Sequence, residues 1–140
     1  MSPKTRRTEM KESPIISKYQ SIVEILADHE LASLGDAYVN FIYSLALSRK
    51  MGKPIGKRMN SSTLASALRK ANLRKLLPSR TDRHKQADAA ESLIVYAWLA
   101  GAMSLDETLS IIEEEEKEED MFALLLRTIL VKLNLTHDKV

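Results

Sequence analysis

From Ile15 to His29 the apolar residues Ile15, Ile16, Tyr19, Ile22, Val23 and Leu26 recur at helical spacing, which predicts an amphipathic helix. Leu31 to Leu47 is apolar almost all round, through Leu34, Ala37, Tyr38, Val39, Phe41, Ile42, Leu45, Ala46 and Leu47. Such a stretch is expected of a helix surrounded by others, and it reads as the central helix. Gly52, Pro54 and Gly56 then interrupt the pattern and make Lys50 to Met59 a basic loop. Asn60-Ser61-Ser62 offers cap residues for a short helix to about Asn72, with Leu64, Ala67, Leu68 and Ala71 on one face. A connection from Leu73 to Thr81, containing Pro78, leads to Asp82, which can cap a long helix from Arg83 to about Ala102. The apolar stripe of that helix is Ala87, Ala90, Leu93, Ile94, Ala97, Trp98 and Gly101. Ser104 with Glu107 has the form of a capping box and predicts a helix running on through the acidic residues after Ile112. Met121 to Leu133 makes the last helix. No segment alternates with period two and no repeat is present, so the chain predicts an all-α fold of about six helices.

The ends read differently from the middle. Residues 1–14 are polar and charged and close on Pro14, which predicts a disordered basic arm; 15–134 then form a single domain and 135–140 a tail. A length of 140 residues suits one core without staples. The sequence has no cysteine, which excludes disulfides, thiolate metal sites and cysteine nucleophiles. With no apolar signal segment and no membrane-length apolar run, the expectation is a cytoplasmic protein with no membrane partner.

The net charge of +2 conceals an asymmetry. Residues 49–85 carry twelve Lys/Arg against Asp82 alone: Arg49, Lys50, Lys53, Lys57, Arg58, Arg69, Lys70, Arg74, Lys75, Arg80, Arg83 and Lys85, with His84 among them. Residues 113–120 hold seven acids against Lys117. A basic segment of this density gains salt-dependent affinity for a phosphate backbone, so these thirteen residues are candidate nucleic-acid contacts. The segment contains no aromatic residue, which favours recognition of duplex shape over stacking on splayed bases. His29, His84 and His137 show no metal-ligand spacing. Tyr96 and Trp98 are expected in the core or at a subunit interface.

Three acids stand inside otherwise apolar helical stretches: Asp36, Asp88 and Glu91. Asp88 and Glu91 are three apart and project from nearly one face of a helix, so they can share a cation. Packing of that helix against the one carrying Asp36 can bring a third carboxylate to the same point. Oxygen ligands without His or Cys suit Mg²⁺ or Mn²⁺. Each acid also has a plainer reading: Asp36 as a helix cap after Gly35, and the other two as partners of Arg83, His84 or Lys85 on a solvated face.

Leu34-Gly35-Asp36-Ala37, opening an apolar helix, resembles the signature helix of ribonuclease III catalytic domains. Ala87-Asp88-Ala89-Ala90-Glu91-Ser92-Leu93-Ile94, followed by Tyr96 and Ala100-Gly101, resembles that family's second acidic motif. Asn60 to Ala65 is similar to the short helix between them, and the likeness covers about Ile15 to Ile112. The resemblance implies a helical endonuclease domain that works as a homodimer and cuts double-stranded or structured RNA with Mg²⁺, leaving 5′-phosphate ends. It implies Asp36 and Glu91 as catalytic residues and Asp36, Asp88 and Glu91 as metal ligands. The likeness is to the miniature members of the family, so the expectation is a catalytic domain that finds its substrate without a double-stranded-RNA-binding domain. The chain departs from the pattern at Ala32, where the family has a glutamate, and offers no acid between Asp36 and Asp82. That departure leaves a second expectation beside the first: a ribonuclease III fold retained for RNA binding without cleavage.

Overall fold

The first five α-helices of the structure begin where a short polar side chain occupies an orphan backbone N–H, while the last starts at Lys117 without one. The structure, a computed structural model, describes residues 19–133; the predicted arm, the tail, Ile15 and Ile16 lie outside them. Ser21 caps α1 (Ile22–Ala27), Asp28 caps α2 (His29–Met51), Asn60 caps α3 (Ser61–Lys70) and Asp82 caps α4 (Arg83–Leu99). Ser104 and Glu107 form both halves of the predicted capping box at α5 (Leu105–Ile112), and α6 (Glu118–Lys132) closes the fold. A 3-10 turn at Arg74–Leu76 is the only other helical piece among the described residues, which contain no strand. The all-α expectation holds.

Three of the boundaries that differ from expectation do so for a clear local reason; in addition α1 begins only at Ile22, with Tyr19 to Ser21 not helical, and α6 begins at Glu118 rather than Met121. The predicted Ile15–His29 helix breaks at Asp28, whose carboxylate accepts the Leu31 N–H at 2.9 Å and starts α2 instead. Gly101 lies beyond α4 with a left-handed φ of 77°, so it ends that helix rather than belonging to its stripe. The helix expected to continue through the acidic run stops at Ile112; Glu113 to Lys117 form a connection before α6. Consecutive glutamates on a helix repel across every turn, and the break lets them separate.

The centre of the fold is also not where hydropathy alone places it. The protein's most enclosed helix is α4, whose residues from Gln86 to Val95 are all buried except Asp88, while α2 leaves Leu34, Ala37 and Phe41 exposed. Small side chains at Ala87, Ala89, Ala90 and Ala97 let α1, α2, α3 and α6 approach α4 from different sides. Phe122, Leu125, Leu126 and Ile129 of α6 close the core from below α3. No helix among the described residues is long and apolar enough to cross a membrane.

Candidate active site

The site is fixed by a close contact between α2 and α4 at Gly35. A Cβ placed on Gly35 would fall 2.2 Å from the carbonyl oxygen of Glu91 and 2.5 Å from its carbonyl carbon. Only a residue without a side chain permits that approach. Because Gly35 touches the Glu91 backbone, the next residue, Asp36, enters the space occupied by the Glu91 side chain. Asp88, one turn earlier on α4, faces the same space. Asp36 lies in the third turn of α2, well inside a helix that Asp28 caps, so it is not a cap.

The electrostatics follow from burial. Glu91 is only 6% exposed. Removal from water, a hydrogen bond with Asp36 and the negative charges of Asp36 and Asp88 together push its carboxyl up to about 8, against a weaker opposing pull from Arg58. Burial also raises Asp88, partly offset by the nearby His29 and His84 and reinforced by Asp36. Two acids that resist ionising beside a third form a pocket short of positive charge.

Asp36 has partners that sequence reading did not assign. Asn40, one turn on, donates from Nδ2 to Asp36 Oδ1 at 3.3 Å, and Arg58 places Nη2 3.5 Å from Asp36 Oδ2. The Met59 N–H donates to Asn40 Oδ1 at 2.6 Å. The signal for Asn40 was present in the sequence: a polar residue four after an acid within an apolar helical run.

The chemistry of this donor set fits a hard divalent cation, since three mutually repelling carboxylates, one of them buried, are relieved by a double positive charge. Among the described residues no group of three or more His, Cys, Asp or Glu side chains is closed on a common point. The arrangement holds Asp36 toward Arg58 and Asn40 instead.

The thirteen candidate RNA contacts divide into two sets. Five are engaged within the protein. Arg49 pairs with Glu113 at 3.2 Å, Lys70 with Glu119 and Asp120 at 2.9 and 2.8 Å, and Arg58 with Asp36. Arg69 donates to Gln86 at 2.9 Å, and Arg74 reaches the carbonyls of Leu77, Pro78 and Ser79. The side chains of Lys50, Lys53, Lys57, Lys75, Arg80, Arg83, His84 and Lys85 are outward and make no ion pair among the described residues. His84 and Lys85 stand one turn before Asp88 on α4, so this cationic set reaches the rim of the carboxylates. A cavity of about 1060 Å³ between Tyr43, Leu47, Thr63, Ile112 and the acidic connection includes none of the three acids.

Fold and site together define an all-α domain whose two principal helices cross at a carboxylate cluster built around the buried Glu91, with cations at its edge. Residues 29–132 match the family model described as Ribonuclease III, and the chain belongs to that family. The matched span contains Asp36, Asp88, Glu91 and the whole basic segment. No curated protein matches the chain.

Proposed function

We propose that this protein is a divalent-cation-dependent endoribonuclease acting on double-stranded or structured RNA. The observation that carries the reading is the meeting of Asp36 with Glu91 where Gly35 lets α2 rest on the backbone of α4. Asp36, Asp88 and Glu91 would hold Mg²⁺ or Mn²⁺, which when bound supplies an activated water and offsets charge on the phosphate. The protein's own residues do the rest. Glu91 and Asp88, held in a low-exposure pocket, keep their oxygens directed at one volume, and Arg58 at the exposed side of Asp36 offers a guanidinium to a phosphate oxygen. The outward cations, from Lys50 to Lys85, bind the strands by charge.

The test is cleavage of a long labelled duplex RNA with Mg²⁺ or Mn²⁺, run beside Asp36→Asn. Cutting that needs both the metal and Asp36 is expected; cutting that persists in Asp36→Asn would remove the carboxylates from the reaction. In EDTA the wild type is expected to bind the duplex with a steep salt dependence, and Lys85→Glu to reduce the slope by about one.

A second reading, RNA binding without cleavage, draws on Ala32. It is buried where the resemblance leads one to expect a glutamate. Intact RNA that is bound with the same salt dependence would favour it.

A homodimer is the assembly we infer. Leu34, Phe41 and Trp98 are 44%, 51% and 44% exposed, and Leu34, Ala37 and Phe41 form one stripe of α2. Trp98 stacks on Tyr38 at a ring distance of 5.1 Å, which extends that stripe across to α4. An apolar face of this kind favours association with its own copy through a two-fold axis. Sedimentation is expected to give a dimer for the wild type and a monomer for Phe41→Glu; a monomeric wild type at micromolar concentration would overturn the inference.

A further inference from the structure

Asp36 is the first of four polar residues spaced by four along α2, followed by Asn40, Ser44 and Ser48. Spacing by four places them in a row on one face. Each of the last three holds a backbone group of the loop that returns along the helix. The Ser48 hydroxyl accepts the Ile55 N–H at 2.8 Å, and the Ser44 hydroxyl accepts the Lys57 N–H at 2.8 Å while donating to the Lys57 carbonyl at 2.9 Å. Asn40 accepts the Met59 N–H. The loop partners are alternate residues, 55, 57 and 59, and they run antiparallel to the helix. The match is metric: two residues of extended chain advance about 6.6 Å, and four residues of helix about 6.0 Å. The turn that sends the chain back is made by Gly52 with a left-handed φ of 71°.

We propose that Asn40, Ser44 and Ser48 form a polar ladder that zips the basic loop onto α2, with Asn40 as the positioning residue that fixes Asp36 at its end. The loop carries Lys53, Lys57 and Arg58, all of them exposed. Without the ladder these cations would wander relative to the acids. With it, Arg58 arrives at Asp36 from one side while the Asn40 amide, already bound to Met59, holds Asp36 from the other. The ladder thus couples the strand-binding loop to the carboxylate cluster. Its purpose rests on the nuclease reading; its existence does not.

Amide hydrogen exchange by NMR on the full chain tests the ladder directly. Ile55, Lys57 and Met59 are expected to be protected and Gly56 and Arg58 to exchange fast; uniform exchange across 55–59 would overturn the proposal. Asn40→Ala is expected to release the Met59 amide selectively and to weaken Mn²⁺ binding, read by titration, by about tenfold. Ser44→Ala should release Lys57 and leave Mn²⁺ binding near wild type, because the Asp36 contact survives. An Asn40→Ala protein that binds Mn²⁺ as the wild type does would remove the positioning role. If Asn40→Ala fails to fold, Asn40→Asp, which keeps the acceptor for Met59 but loses the donor to Asp36, should protect Met59 and still bind Mn²⁺ differently from wild type. A wild type that neither cuts RNA nor binds Mn²⁺ would overturn the nuclease reading and with it the positioning role, while the exchange pattern would still decide the ladder.

Discussion

Replacing Gly35 by alanine is expected to destabilise the protein by at least about 3 kcal/mol and to abolish whatever the carboxylate cluster does. The added methyl would sit 2.2 Å from a backbone oxygen of α4, and backbone in the middle of a helix has no rotamer to change. The helices must separate. Separation opens the packing at Val39, Ile42, Ala90 and Ile94, all buried, and moves Asp36 away from Glu91. For a domain of this size such a loss lowers the melting temperature by roughly 10 °C or more. Thermal unfolding followed by circular dichroism measures it, and a shift below a few degrees would mean that α2 and α4 pack less closely than the structure has them. Alanine at Gly56, where a Cβ meets nothing within 4 Å, is the control and should leave the melting temperature nearly unchanged.

That contrast between two glycines also shows what a sequence can and cannot carry. The spacing of Asp88 and Glu91 puts them on one face in any helix, and Ser104 with Glu107 caps one almost regardless of context, so both were legible. The contact of Gly35 with Glu91 was not legible, since no local rule says which helix a glycine will meet; only the approach of the two acid-bearing helices was expected. Depth of burial was misleading for a physical reason. Leu31 to Leu47 is the more hydrophobic stretch, yet the alanine-rich α4 lies deeper, because small side chains allow several neighbours to approach. The break at Asp28 was hidden because the apolar spacing runs straight through it, and only the capping bond to Leu31 divides the helix. The basic segment was visible as charge, but which cations stay outward depends on acids more than forty residues away, such as Glu119 and Asp120 beside Lys70.

Glu91→Gln is expected to cost at least about a hundredfold in cleavage, equivalent to roughly 3 kcal/mol of lost stabilisation of charge, while making the protein no less stable. The two effects separate because glutamine reproduces the neutral form that the buried site favours. In the unfolded chain Glu91 ionises near 4.5, and in the fold near 8. Between those values unfolding releases a proton, so the unfolded state binds fewer protons and stability falls as pH rises. This contribution is fully present below about 4.5 and is lost by the time pH passes 8; Asp88, also raised, acts in the same direction. Glu91→Gln removes the titration. Without divalent ions its melting temperature should match the wild type's near pH 4 and exceed it near pH 8.5. Added Mg²⁺ or Mn²⁺ should then stabilise the wild type at pH 8.5 by mass action and leave the variant unmoved. A variant that is less stable than wild type at both pH values would mean that Glu91 acts as a structural hydrogen-bonding group, since a residue kept only for the fold has no reason to work against it at the pH where its charge is present.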